Sequence, residues 1–219
     1  MWLKSYLNLG PTRPIWALVA DALIATNQPT SERNVESEVK FNYFLQSWKT
    51  SQVGKIPRTI KGLLTTAKKF GLRPEGLIFS KEIRCSMPIW YHCEANPRLK
   101  RMINRTRASL CLRKQHKIKT VGEMEKVADC LNNPQHEDNE MCQCESCCEA
   151  GDIEIDCPRP HECFKRAKQI LDTLPPKWHP KTLYPIEEEA NNNEQNEIWF
   201  KKDMIINGNL GDTFRIFTE

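Results

Sequence analysis

The stretch CQCESCCEAGDIEIDCPRPHEC, which runs from Cys142 to Cys163, decides how this chain is expected to fold. It places several soft metal donors close together in sequence. Zn²⁺ takes four tetrahedral thiolate or imidazole ligands, usually in two close pairs, and a two-residue gap lets both sulfurs of a pair face one ion. Cys144 and Cys147 have that gap. The stretch therefore predicts a zinc-stapled module whose candidate ligands are Cys142, Cys144, Cys147, Cys157, His161 and Cys163.

The second ligand pair is less well defined by spacing. Cys157 and Cys163 are separated by five residues, and His161 between them is a further donor. The preferred set is Cys144, Cys147, Cys157 and Cys163. Cys142 replacing one member, two ions sharing a bridging sulfur, a disulfide framework and free reduced thiols are the alternatives. A catalytic zinc is disfavoured, because such sites keep an open position and usually use His and carboxylate ligands.

Composition indicates an ordinary soluble protein. The chain has 219 residues, of which 39% are hydrophobic and 27% are charged. The apolar stretch from Ile15 to Ala25 is too short to cross a bilayer and is interrupted by Asp21. Since a secretory leader is also lacking, we expect an intracellular protein, in the nucleus or cytoplasm, with no membrane partner and with reduced or metal-bound cysteines.

Charge is distributed unevenly along the chain. The net charge is only +4, yet residues 98–119, here called the basic segment, contain nine Lys or Arg and no acid. Residues 123–162, the acidic stretch, contain twelve acids against Lys126 and Arg159. One part of the chain thus attracts anions while its neighbour repels them.

The basic segment and the aromatic residues before it predict nucleic-acid binding. Cations neutralise phosphates and release counterions, and an aromatic ring can stack on a base. A solvated helix face is the alternative interpretation of such a run of charge. The candidate binding residues are Trp90, Tyr91, Arg98, Lys100, Arg101, Arg105, Arg107, Arg113, Lys114, Lys117 and Lys119.

Hydrophobic periodicity predicts a mainly α-helical fold. The best-marked helix follows Thr120, which forms a capping box with Glu123. Residues 87–91 are expected to be extended, because Pro88 disfavours helix at the residue before it. Further helices are predicted at 14–26, at 58–70 ending before Gly71, at 98–103, at 108–115, and from His161 to about 171. One more is predicted to begin at Asn34 as its cap and to carry Phe41 and Trp48 on its apolar face.

Four regions follow from these patterns. We predict a small helical bundle over residues 1–84, a basic connector with a capped helix over 85–135, a Cys-rich zinc module over 136–182, and a flexible linker and terminal segment over 183–219. The linker includes the acidic tract IEEEANNNEQNE at 186–197. The same sequence carries no Asp-Asp pair, no Gly-x-Ser-x-Gly motif and no phosphate loop. We therefore expect the chain by itself to be non-catalytic.

An ordered series of short motifs adds a family resemblance. The segments are, in order along the chain, WLKSYLNLGPTRPIWALVADALIA, MPIWYH, CLRKQHKIKTVGEM, ADCLNNPQH, CQCESC, CPRPHEC, LDTLPPKW and DTFRIFTE. In this order, and over nearly its whole length, the chain resembles the part of fungal non-LTR retrotransposon polyproteins that connects the reverse transcriptase domain to the ribonuclease H domain.

This resemblance implies a fragment of a larger polyprotein whose catalytic carboxylates lie outside the present sequence. It makes Cys142, Cys144, Cys147, Cys157 and Cys163 the matching cysteines, and Cys93 and Cys148 local additions. The implied partners are RNA or an RNA·DNA hybrid, bound without sequence specificity, and the reverse transcriptase and ribonuclease H domains of the parent. The predicted function is a zinc-stabilised nucleic-acid-binding connector. The alternative is a stand-alone zinc-containing protein-interaction module.

Overall fold

Two compact units divide the chain. The computed structural model describes residues 2–27, 36, 39–50, 55–99, 105–139, 141–151, 157–183, 205–206 and 208–217. One unit comprises Met1–Ile83 with Leu183–Glu219, and the other comprises Arg84–Thr182. Most regular structure in the described ranges is helical, which confirms the mainly α character. None of the helices in these ranges is both long and apolar enough to span a membrane.

The described residues of the first unit form three α-helices and two small sheets. Its helices are α1 (Trp2–Tyr6), α2 (Ile15–Thr26) and α3 (Arg58–Lys69). Strand β1 (Arg73–Pro74) pairs antiparallel with β4 (Phe214–Arg215), and β2 (Ile78–Phe79) pairs in parallel with β3 (Ile205–Ile206). The terminal segment, which follows the predicted flexible linker, thus contributes two strands. The acidic tract 186–197 lies outside the described residues.

Asp21 interrupts the apolar sequence of α2 because it has partners inside the unit. The Arg13 guanidinium lies 2.5 Å from its carboxylate, and the Tyr6 hydroxyl donates a hydrogen bond to it. Burial raises the pKa of Tyr6 above its usual range, so the hydroxyl remains a donor. A half-buried acid is tolerated here because both contacts satisfy its oxygens.

The end of α3 follows the sequence prediction. Gly71 has a φ of 60°, which lies in the left-handed region that favours glycine. The Gly71 amide donates to the Lys68 carbonyl, and the Leu72 amide donates to the Ala67 carbonyl. This pair of bonds is a Schellman motif, so glycine ends the helix as expected.

A predicted helix is replaced by an irregular loop in residues 39–50. Asn34, the expected cap, lies outside the described residues. The buried Gln46 side chain accepts hydrogen bonds from the amides of Phe41 and Asn42 and donates to the Val39 carbonyl. These contacts use backbone groups that a helix would have paired internally. The prediction was wrong because a side chain competed for them.

The second unit contains four helices of the described chain. They are α5 (Arg107–Lys114), α6 (Val121–Asp129), α7 (Glu145–Gly151) and α8 (Pro160–Leu171), and a short helix α4 (Lys81–Ser86) leads into the unit. Helix α8 packs against α5 and α6. Its inner face buries Phe164, Ala167, Ile170 and Leu171. Helix α8 is therefore the central element of this unit.

Local signals position the start of α6 as predicted. The Thr120 hydroxyl accepts from the Glu123 amide, and the Glu123 carboxylate accepts from the Thr120 amide. In residues 87–91, which were predicted to be extended, Pro88 forms an isolated bridge with Thr120. Trp90 and Tyr91 instead lie in a turn, where Tyr91 has a φ of 55°, so the prediction holds only in part. The predicted helix at 98–103 lies largely outside the described residues.

The predicted separation of 85–135 from 136–182 does not coincide with a division between compact units. Both ranges belong to the unit Arg84–Thr182. They are joined by the packing of α5 and α6 against α8 and, as described next, by one cluster of metal donors that both ranges supply.

Candidate metal centres and the basic segment

One cluster of donors, here called the His136 group, consists of His136, Cys142, Cys144 and Cys147. The His136 Nδ1 atom lies 3.6 Å from the Cys142 Sγ atom, 3.6 Å from that of Cys144 and 3.5 Å from that of Cys147. Cys144 and Cys147 are buried, and all four donor atoms lie within 4.8 Å of one another. A loop and the first turn of α7 supply this group.

Backbone amides support the sulfurs of the His136 group. The Glu137 amide donates to the Cys142 Sγ atom at 3.2 Å. Hydrogen bonds from the amides of Cys144 and Glu137 hold the pKa of Cys142 below its ordinary value, while burial raises the pKa of Cys147. N–H donors of this kind stabilise a thiolate ligand and fix its orientation.

A second cluster, here called the Cys111 group, consists of Cys111, His116, Cys157 and Cys163. The Cys157 Sγ atom lies 3.5 Å from that of Cys111 and 3.6 Å from that of Cys163. Cys157 and Cys163 are 4% and 2% exposed. The donors come from α5 and the turn after it, from the first turn of α8, and from the segment just before α8.

The thiols of the Cys111 group shift one another's pKa values. A hydrogen bond from Cys163 lowers the pKa of Cys157 to about 4, and the same contact with burial raises the pKa of Cys163. Burial raises the pKa of Cys111 to about 11. These shifts favour the thiolate form of Cys157 and the protonated thiol form of Cys111 and Cys163. A divalent cation would favour loss of the remaining protons, because metals bind the thiolate form.

Both groups have the dimensions of a zinc site. With Zn–S near 2.3 Å and Zn–N near 2.05 Å, a tetrahedron separates neighbouring donors by about 3.6–3.8 Å. The sulfur–sulfur and sulfur–nitrogen distances of 3.5–3.6 Å match that spacing and are much longer than a disulfide bond of about 2.05 Å. None of the ten cysteines forms a disulfide bond in the structure. Each group could therefore hold one metal ion, and a Cys₃His set is compatible with zinc.

The predicted four-cysteine set is corrected by this arrangement. Cys144 and Cys147 face together, as their spacing predicted, but Cys157 and Cys163 lie in the other group. The two groups share no residue, so the alternative of a bridging sulfur is not what the structure shows. Cys142 belongs to the His136 group.

His161 is a predicted ligand that neither group includes. It lies in the first turn of α8, two positions before Cys163. Residues two positions apart in a helix point in different directions, so the turn that directs Cys163 toward Cys157 directs His161 elsewhere.

Three ligand candidates were missed by reasoning from the dense cysteine stretch alone. They are Cys111, His116 and His136. His136 is six residues before Cys142, close enough to have been considered. Cys111 and His116 have four residues between them. They lie in a segment that its cations assigned to nucleic-acid binding.

The structure does not place Trp90 as an open stacking surface. Trp90 is 1% exposed, and its indole N–H donates to the Ile118 carbonyl at 2.6 Å. The Arg113 guanidinium lies over its ring, 4.9 Å from the ring centre. Trp90 is therefore a core residue that supports the basic segment. Tyr91 beside it is half-buried and has a φ of 55°.

Most described cations of the basic segment are on the surface. Arg113 is half-buried, and Lys100 and Arg101 lie outside the described residues. Arg107 lines a small recess with Arg159 and the sulfurs of the Cys111 group. Positive charge there would offset the net charge of −1 of a Zn²⁺ ion with three thiolates. The exposed cations are Arg98, Arg105, Arg107, Lys114, Lys117 and Lys119.

Comparison with known proteins identifies no relative. No protein-family model matches the chain, and neither the curated proteins nor the solved structures include a significant match.

Proposed function

We propose that residues 84–182 form a non-catalytic module that holds two zinc ions and binds nucleic acid through the basic segment. The observation that carries this proposal is the position of Cys111 and His116. Both lie inside the basic segment, and both belong to a Cys₃His group. The segment with the strongest attraction for phosphate is thus also the segment that a metal would fix in shape.

A structural role for zinc is supported by the ligand sets. Each group offers four protein donors, which complete a tetrahedron and leave no position for a substrate or a reactive water. The Nε2 atoms of His116 and His136 are buried without hydrogen-bond partners in the described part of the chain.

Binding to nucleic acid is supported by exposed charge without nearby acids in sequence. The basic segment contains no Asp or Glu, and six of its cations are exposed. Flexible cations on a surface bind the phosphate backbone and carry little sequence information. The ligand class is therefore nucleic acid, bound largely without sequence preference, and the family resemblance implies RNA or an RNA·DNA hybrid.

The motif order supports an origin in the connector of a fungal non-LTR retrotransposon polyprotein. In that parent, the module would hold template or hybrid between the reverse transcriptase and ribonuclease H domains, in the nucleus or cytoplasm. Long-read sequencing of the transcript tests this origin. Continuous reading frames for both enzymes on either side are expected, and a transcript that encodes neither would contradict it.

Salt-dependent binding tests the nucleic-acid function directly. The zinc-loaded chain should bind a fluorescent RNA·DNA hybrid with an affinity that falls steeply as salt rises. Replacing Arg105, Arg107, Lys117 and Lys119 by Gln should weaken binding to all sequences alike. It should also reduce the slope of log K against log salt by up to about 3, since each lost phosphate contact contributes about 0.7–0.9.

Helix α3 offers a control with the same change of charge. Replacing Arg58, Lys61, Lys68 and Lys69 by Gln removes four cations from the other unit. This control should bind like the unmodified chain. Equal losses in both variants, or binding that is insensitive to salt, would contradict the proposed function.

A further inference from the structure

The Cys111 group draws its ligands from two very different parts of the second unit. Cys111 and His116 both belong to the basic segment. Cys111 lies four residues after Arg107, and His116 lies directly before Lys117. Cys163 lies in the first turn of α8, the central helix of the unit, and Cys157 lies three residues before that helix begins. An ion in this group would therefore join the cationic helix α5 to the core.

The turn after α5 is built around the Cys111 carbonyl. The amides of Gln115 and His116 both donate to that carbonyl, at 2.8 and 3.2 Å. Lys117 follows with a φ of 53°, a left-handed conformation that is uncommon outside glycine. Ligation of Cys111 and His116 would hold both ends of this turn, and thereby the positions from which Lys117 and Lys119 project.

The His136 group has a different place in the sequence. All four of its donors lie between residues 136 and 147, inside the acidic stretch. It takes no ligand from residues 98–119. An ion in this group would fix a loop and the start of α7, with no direct connection to the exposed cations of the basic segment.

From this contrast we infer that zinc in the Cys111 group controls nucleic-acid binding, whereas zinc in the His136 group does not. The inference rests on the proposed function, and it adds a dependence of that function on one of the two metal sites. The chain should bind RNA·DNA hybrid strongly only when the Cys111 group holds its ion.

Two matched double variants of the full chain test the inference. Cys111→Ser with His116→Asn removes one thiolate and one imidazole from the first group, and Cys142→Ser with His136→Asn removes the same pair from the second. Each variant should keep one zinc ion. The first should bind the hybrid about tenfold more weakly or worse, because a structural site contributes folding energy directly. The second should stay within about twofold of the unmodified chain.

Limited trypsin digestion provides a readout that needs no nucleic acid. Cleavage after Lys114 and Lys117 should accelerate in the first variant and remain slow in the second. If the unmodified chain failed to bind the hybrid, the proposed function would fail, while the trypsin comparison would still decide whether the Cys111 group controls the segment. Equal cleavage and equal affinity in both variants would overturn the inference.

A conservative replacement separates loss of metal from loss of fold. His116→Cys creates a Cys₄ set, which also binds zinc. It should retain two ions, slow cleavage and an affinity near that of the unmodified chain, whereas His116→Asn alone should lose affinity. Weak binding by the His116→Cys variant despite two bound ions would contradict control by the metal.

Discussion

At the scale of single residues, the direction in which each side chain points decides which metal donors lie together. His161 and Cys163 lie in the same helical turn, and His161 is the nearer of the two in sequence to Cys157. Only Cys163 joins the cluster, because positions two apart on a helix face different ways. Donor type and spacing therefore define a set of candidates, and the backbone conformation selects among them.

The three histidines provide a direct test at this scale. His116→Ala and His136→Ala should each weaken the binding of one zinc ion, because each removes one of four ligands. His161→Ala is the matched control and should leave both affinities unchanged. Competition with a chromophoric chelator measures these affinities, and loss of an ion from the His161 variant would show that the donor groups are assigned incorrectly.

At the scale of elements, short-range signals predicted the helices that depend on them. The capping box at Thr120 and the left-handed Gly71 each act within a few residues, so the sequence shows both partners. Residues 39–50 could not be predicted in this way. Their shape depends on the buried Gln46 amide, whose several contacts leave no periodic signal.

Two glycines of the first unit should respond in opposite ways to replacement by Ala. Gly62 lies within α3 with nothing near its missing Cβ, so Gly62→Ala should raise the free energy of unfolding by roughly 0.5–1 kcal/mol. Gly71→Ala should lower it by roughly 1–2 kcal/mol, because Ala is strained at a φ of 60°. Urea unfolding followed by tryptophan fluorescence measures both changes. Stabilisation by Gly71→Ala would contradict this account of the helix end.

At the scale of the whole molecule, contacts between distant residues limited what the sequence could predict. Cys111 meets Cys157 across 46 positions, and Pro74 pairs with Phe214 across a still longer separation. No local spacing rule links such residues. The cysteine-rich stretch predicted a zinc module, but the division into two groups required the packing of α5 against α8.

The same difference in separation predicts the order in which the ions are lost. The His136 group extends over 11 positions, whereas the Cys111 group joins Cys111 to Cys157 over 46. Closing the longer segment costs about 1 kcal/mol more chain entropy. As urea rises, the Cys111 group should release its zinc first.

Release into a chromophoric chelator, followed in the two double variants described above, assigns each step. The variant that retains the His136 group should hold its ion to a higher urea concentration than the variant that retains the Cys111 group. The reverse order would indicate that packing around α8 outweighs the cost of loop closure.

The central claim is that the second unit holds one zinc ion in each of two separate Cys₃His groups. Native mass spectrometry of the intact chain, purified with zinc and compared with its denatured mass, measures this most directly. The account predicts a mass increase of two zinc ions, falling to one in either double variant. A single ion in the unmodified chain, or two ions that are both lost when one group is altered, would contradict it.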